Sequence, residues 1–295
     1  MDTATFESIA KKLSADETLS DDDIANLSAT RDLVQLGALA DERRRAKCGD
    51  RVTFVRVLEI PLTRDLGCLE VPSSAGEVRL MGCPDTADAA VRAVEQAVAR
   101  ADTVPVSGFD LEDLVRLSGE DVTGFERFVR RLAESGLARV AEMCLDRGPD
   151  STWLRRSAEA GVAVARVTVY DRAVAGANAA RRVASWGKTA FAQAFAPLAR
   201  ELSASPSTGY EDVRQVALAR LLVDNIPSIQ VDWRRYGPKL AQVALVFGAD
   251  DVDGVSPIDS LEHGRRRAPL EEITQNIRAA SLVPVQRNGR FETLA

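Results

Sequence analysis

The hydrophobic pattern of this chain changes period repeatedly, and the changes follow an order. Residues 51–60, Arg-Val-Thr-Phe-Val-Arg-Val-Leu-Glu-Ile, are apolar and β-branched enough for a strand, and Glu77-Val78-Arg79-Leu80-Met81 reads as a second. Over residues 85–101 alanines and valines recur at three- and four-residue spacing, the signature of a helix with one apolar face. The alternation continues with strands near 103–107, 139–145, 162–170, 189–196, 228–232 and 251–255. Helices are expected at 110–117, 123–136, 151–160, 173–185, 209–222 and 237–247. About eight strands separated by helices predict an α/β fold of the (β/α)₈ TIM-barrel type rather than an open doubly wound sheet.

The first unit departs from that pattern. Between Ile60 and Glu77 lie Pro61, Gly67, Pro72, Ser73, Ser74 and Gly76, which read as loop, so the first crossover lacks its helix. Upstream, residues 4–47 predict two or three short helices, with Ser20 as a cap before Asp21, Asp22 and Asp23, which complement a helix N-terminus. The expected organisation is one domain: a helical collar over residues 1–50 and a barrel over 51–295.

Composition narrows the function. The chain has 295 residues and a formal net charge of −6, so no basic field recruits nucleic acid or an anionic membrane, and the short arginine runs 43–45 and 265–267 do not change this. A small molecule or a protein is the expected partner. The sequence has no long apolar run and no leader-like N-terminus, which predicts a soluble, cytoplasmic protein. Cys48, Cys68, Cys83 and Cys144 are too scattered for a zinc site or a disulfide scaffold and read as reduced, mostly buried thiols. His263 is the single histidine, which excludes a Ser-His-Asp triad and a histidine-rich metal site. No phosphate-binding glycine loop, H-E-x-x-H, G-x-S-x-G or C-x-x-C occurs.

Four words near the C-terminus carry a family likeness: Ala219-Arg220-Leu221-Leu222-Val223-Asp224-Asn225-Ile226-Pro227, Gly237 to Leu245, Gly248-Ala249-Asp250-Asp251-Val252-Asp253-Gly254, and Pro284-Val285-Gln286-Arg287. With Asp32-Leu33 to Ala40 and Gly49 to Arg56, the chain resembles the radical S-adenosylmethionine enzymes of the futalosine route to menaquinone, aminofutalosine synthase and cyclic dehypoxanthine futalosine synthase. The likeness is weakest from residue 59 to about 205.

That resemblance implies a barrel whose first loop holds a [4Fe–4S] cluster through C-x₃-C-x₂-C, one iron chelating S-adenosylmethionine. Here Cys68 stands near the expected start and no cysteine follows until Cys83. The family's glycine run on the fourth strand is replaced by Ala141-Glu142-Met143-Cys144, and its rim glutamate after Gly254 by Val255-Ser256-Pro257-Ile258-Asp259. The expectation is a family member without cluster or S-adenosylmethionine, a non-catalytic partner or an intermediate-binding protein. The alternative is an enzyme of the same pathway that uses the retained cavity without a cluster.

Candidate contacts to a nucleoside-like ligand at the barrel mouth are Arg56, Glu59, Gln193, Asp232, Trp233, Asp251 and His263. Trp233 reads equally as pocket lining or core. Asp250 and Asp251 read as a turn into the last strand or as ligand contacts, and His263 as a solvated loop residue or a residual substrate contact. The missing first helix would uncover Val55, Val57 or neighbouring strand residues unless something else covers them. An apolar patch near residues 59–83 would then be covered by the collar, by a second copy, or by an intact radical S-adenosylmethionine paralogue.

Overall fold

The structure, a computed structural model, describes residues 3–187, 191–201, 208–258 and 269–294. Three helices lead: α1 (Thr3–Ser14), α2 (Asp21–Ala29) and α3 (Leu33–Cys48). Barrel strands are β1 (Arg51–Pro61), β2 (Glu77–Met81), β3 (Val106–Asp110), β4 (Leu137–Cys144), β5 (Val164–Val169), β6 (Ala192–Ala199), β7 (Ser228–Asp232) and β8 (Asp251–Val255). Between and after them run α4 (Ala87–Ala101), α5 (Leu111–Leu117), α6 (Val122–Glu134), α7 (Ser151–Glu159), α8 (Ala177–Ala184), α9 (Gly209–Leu222), α10 (Trp233–Leu245) and α11 (Pro269–Ala279). A ninth strand, β9 (Val283–Arg287), follows α11.

Each of β1 to β8 pairs in parallel with its sequence neighbour, and β1 pairs with both β2 and β8, which closes the barrel. The TIM-type fold expected from the strand–helix alternation is therefore present. β1 is long enough to serve three partners. Its residues Thr53–Arg56 meet β8 on one edge, while on the other edge β9 takes Arg51–Val55 and β2 takes Val57–Pro61. Pro284 fits this arrangement because β9 pairs only with β1, and an outer strand tolerates the missing N–H.

The first connection holds only a 3₁₀ turn, Leu66–Cys68, in place of a helix. The exposure expected beneath it is not found. Val55 and Val57 are buried, and the loop contributes Leu66 and Leu69 to the main core alongside Leu58 and Ile60. Apolar loop residues thus replace a helix as the cover of the first strand. The collar lies elsewhere: Ile9, Leu13, Leu27, Leu36, Leu39 and Ala40 pack against Ala217, Leu218 and Leu221 of α9. Ser20 caps α2 as expected, in a reciprocal box with Asp23, whose carboxylate also accepts from Lys12 at 2.6 Å.

Two boundaries move for local reasons. The third strand begins at Val106, after Pro105, and ends at Asp110 rather than near 107. The tenth helix starts at Trp233, capped by Asp232, and is broken at Gly237 (φ 80°) before Pro238, so the expected start at 237 marks a kink. Among the described residues no helix is long and apolar enough to cross a membrane.

Candidate functional site

The centre of the barrel is charged. Arg79 of β2 donates to Asp253 of β8 at 3.0 and 2.9 Å, and Arg166 of β5 donates to the same carboxylate. These three strands do not pair with one another, so the side chains meet across the barrel interior. Arg79 also donates to Glu77 at 2.8 Å, whose carboxylate accepts from Ser107 of β3. Arg166 reaches Glu142 of β4 at 3.1 and 3.0 Å, and Arg200, just past β6, holds the same carboxylate. Burial alone would raise the Asp253 carboxyl, but the two guanidiniums overcome it and hold it well below the usual carboxylate range.

A second cluster lies at the N-terminal end. Asp251, the first residue of β8, accepts from Arg287 at 2.6 and 2.7 Å, from Gln230 at 2.7 Å and from Thr53. Below it, Asp250 accepts from Arg220, from the backbone N–H of Ile229 at 2.7 Å and from the Cys48 thiol at 3.0 Å. Burial and that carboxylate push the Cys48 thiol up to about 12.

At the C-terminal end, the ligand-facing end of such barrels, β3 finishes at Asp110. Phe109, immediately before it, holds a left-handed φ of 68°, uncommon for a bulky residue. Asp110 stands in register with Glu142 of β4 and heads α5 without forming a side-chain cap. Burial, then the charges of Glu142, Glu112 and Asp113, push its carboxyl up to about 7. Burial acts on Glu142 in the same sense, yet the Arg166 and Arg200 charges prevail and hold it down to about 2. Two neighbouring carboxylates therefore have opposite proton affinities, a pattern that separates acid from base roles in enzyme sites.

The expected site residues divide. Glu59, near the end of β1, pairs with Arg234 and lies 3.8 Å from Arg79, so it belongs to the mouth. Asp232 ends β7 and accepts from the Arg235 backbone at 2.9 Å, close to Gly254, where any Cβ would meet its carboxylate at 2.9 Å. Trp233 is buried in the main core. Arg56 is also buried and donates to the Ser256 and Pro257 carbonyls at 3.2 and 2.9 Å, holding the chain after β8. Gln193, the second residue of β6, sits at the opposite end from the mouth, as does Asp251, whose bonds are those of a structural ion pair. His263 and Asp259 lie outside the described residues.

Asp110, Glu142, Arg166 and Arg200 were not anticipated as a set. Glu142 stood in a word that departs from the family pattern, but nothing in sequence order joins residues that only barrel closure brings together.

The four cysteines do not converge. Cys68 is exposed on the 3₁₀ turn, and Cys83 is exposed beyond β2, where Arg116 lies 2.7 Å from its sulfur. Cys144 is buried at the end of β4, and Cys48 is at the opposite end of the barrel. Among the described residues no three His, Cys, Asp or Glu side chains are grouped to hold a metal ion.

Comparison with known proteins agrees with the sequence words. Residues 189–295 match the family model described as the CofH/MqnC C-terminal region. Aminodeoxyfutalosine synthase of Streptomyces coelicolor is 37% identical over 94 residues, a match spanning 30% of this chain and only 24% of that protein. The 5-amino-6-(D-ribitylamino)uracil–L-tyrosine 4-hydroxyphenyl transferase of Methanosphaerula palustris is 25% identical over 325 residues and 88% of each chain. Among solved structures, methylornithine synthase (PylB) superposes with a TM-score of 0.67 at 12% identity, covering 94% of this chain and 97% of its own, a likeness of fold. The chain folds as a TIM-type barrel, and its residues 189–295 are similar to the C-terminal region of the radical S-adenosylmethionine enzymes of the futalosine pathway.

Proposed function

We propose that this protein works without an iron–sulfur cluster or S-adenosylmethionine, as a binding protein for a polar small molecule of that pathway at the barrel mouth. The observation that carries the reading is the loop between β1 and β2. It holds one cysteine, Cys68, and the next thiol, Cys83, lies beyond the following strand. A [4Fe–4S] cluster open at one iron needs three thiolates on three irons, and this donor set does not fit it. The interior offers a second support, because Arg79, Arg166 and Asp253 span the barrel with ion pairs among themselves.

The mouth keeps the features of a ligand site: polar groups from several strands, and a carboxylate whose proton affinity is strongly displaced. A role as the partner of an intact paralogue has less support, since the apolar surface expected to recruit it is covered within the chain.

Anaerobic reconstitution with iron and sulfide tests the reading. The expected result is no stoichiometric iron or sulfide, and a melting temperature unmoved by saturating S-adenosylmethionine, because a ligand bound only to the native state must raise it. A reconstituted cluster, or a dose-dependent upward shift, overturns it.

A further inference from the structure

A cleft of about 730 Å³ lies between the collar and the barrel, within the size of ligand-receiving pockets, roughly 300–1,000 Å³. It is lined by the α1–α2 connection and by the ends of α8 and α9, which lead into β6 and β7, so it sits at the opposite end of the barrel from the mouth. Its buried and half-buried lining is largely apolar, with Leu13, Leu19 and Ile24 from the collar and Leu221 and Leu222 from α9. The polar member of that layer is Asn225, whose Nδ2 donates to the Val183 carbonyl at 2.8 Å and whose Oδ1 has no partner.

The exposed lining is acidic. Asp16, Glu17, Asp21 and Asp224 stand against one guanidinium, Arg181, which pairs with Asp21. Arg43 bridges Asp16 and Asp224, and Lys47 also reaches Asp224, but these cations lie behind the rim. Their side chains are 12 and 24% exposed, whereas those of Asp16, Asp21 and Asp224 are 76, 88 and 55% exposed. The charge turned to solvent is therefore negative. Helix dipoles add to it, because α1, α8 and α9 all end at the cleft, and a helix C-terminus favours cations. The N-terminus of α2 is the one opposing end, and its first turn is Asp21, Asp22 and Asp23.

The collar wall is already built. The Glu17 N–H closes the end of α1 on the Lys12 carbonyl at 2.9 Å, and Lys12 ties α1 to α2 through Asp23 at 2.6 Å. A surface held this way loses little freedom when it is occupied.

We propose that this cleft docks a basic peptide segment of a partner protein, with aliphatic side chains seated on the leucines and Lys or Arg side chains over the acidic rim. An apolar floor with a charged rim suits that occupant, since buried aliphatic anchors give affinity and rim charges set orientation and partner choice. An acidic segment meets repulsion, and a purely basic one leaves the floor unused. The surface is separate from the barrel mouth, so its test and the cluster test stand or fall independently.

Fluorescence anisotropy on the full chain tests this with a fluorescein-labelled, N-acetylated peptide, Arg-Leu-Lys-Leu-Arg. At an ionic strength of about 0.1 M it should bind saturably, with a Kd below about 1 mM. At about 1 M salt, where screening acts beyond about 3 Å, binding should weaken several-fold. Counterparts with serine for leucine, or with glutamate for the basic residues, should not bind. Ser185→Trp, which sets a bulky ring on the lining, should abolish binding, and Glu17→Lys should weaken it by about fivefold. Both residues are exposed, so an unchanged melting temperature verifies that each variant folds.

No saturable binding overturns the proposal, as does binding that survives Ser185→Trp or equal binding of the glutamate peptide. Sedimentation of the chain alone covers the other occupant: self-association that Ser185→Trp removes would give the cleft to a second copy and overturn the assignment.

Discussion

The barrel contains two polar clusters of similar composition, and they are finished differently. At the N-terminal end Asp251 meets Arg287, Gln230 and Thr53, and is completely buried. At the mouth Glu142 is equally well held by Arg166 and Arg200, but its register neighbour Asp110 accepts no side-chain hydrogen bond among the described residues. A buried ion pair persists when its geometry and remaining hydrogen bonds offset desolvation, and the lower cluster meets that condition. The upper one leaves a carboxylate unbalanced where ligands enter such folds. One cluster is closed by its ion pairs, and the other leaves one carboxylate without a hydrogen-bond donor among the described residues.

The largest effect should come from breaking the closed cluster. Asp251→Ala strands the Arg287 guanidinium, which is buried, and should reduce unfolding free energy by about 3–5 kcal/mol in urea titration. At Asp110, by contrast, replacement by Asn should leave stability at pH 8 unchanged or higher. A comparable loss at both positions would erase the distinction between the clusters.

A smaller loss is expected one turn away. Gly248 has φ +103°, and a Cβ there would meet the Arg220 Cβ at 2.7 Å. Gly248→Ala should cost about 1–3 kcal/mol through backbone strain and displacement of Arg220, read as a fall in denaturation midpoint.

The pH dependence of stability separates the two mouth carboxyls by sign. Asp110 binds its proton more tightly folded than unfolded, so its contribution is fully present below about pH 4 and is lost as pH rises through about 7. Glu142 acts the other way: its contribution is present above the ordinary carboxylate range and lost as pH falls toward about 2. Allowing for the partial exposure of Asp110, its share is on the order of 2 kcal/mol. Asp110→Asn should therefore flatten the decline between pH 4 and 8 and leave the acid limb in place.

Much of this architecture was legible in the chain. β-branched runs such as 51–60 and the alanine–valine spacing of 87–101 announce their elements because burial on both faces of a parallel strand, or on one face of a helix, leaves a direct mark on composition. β9 was harder to see, since five residues that run from exposed Val283 to buried Arg287, with a proline among them, carry little periodicity. The cover over β1 was misjudged for a related reason. Leu66 and Leu69 sit among Gly, Pro and Asp, so their packing depends on closure rather than on local pattern. The mouth was the least legible part. Arg166 and Asp253 are separated by 87 positions and meet only across the interior, whereas Asp251, a neighbour of Asp253 in sequence, serves the other end. Glu59 and Asp232 could be placed near strand ends because those ends can be read from order alone.

The smallest expected effect belongs to the loop that gives the proposed function its main support. Cys68 is exposed and touches neither cluster, so Cys68→Ser should shift stability by no more than about 0.5 kcal/mol. A larger change on thermal unfolding would show that the turn has a role beyond covering β1.

The contrast between a closed and an open cluster reduces to the state of one carboxyl. Carboxyl-carbon NMR titration of selectively labelled aspartates, assigned through Asp110→Asn, measures it directly. The account predicts that the Asp110 signal titrates near 7, far above its ordinary value, while Asp253 stays ionised well into acid. An Asp110 signal that titrates near 4, in the range of a solvated aspartate, would contradict it.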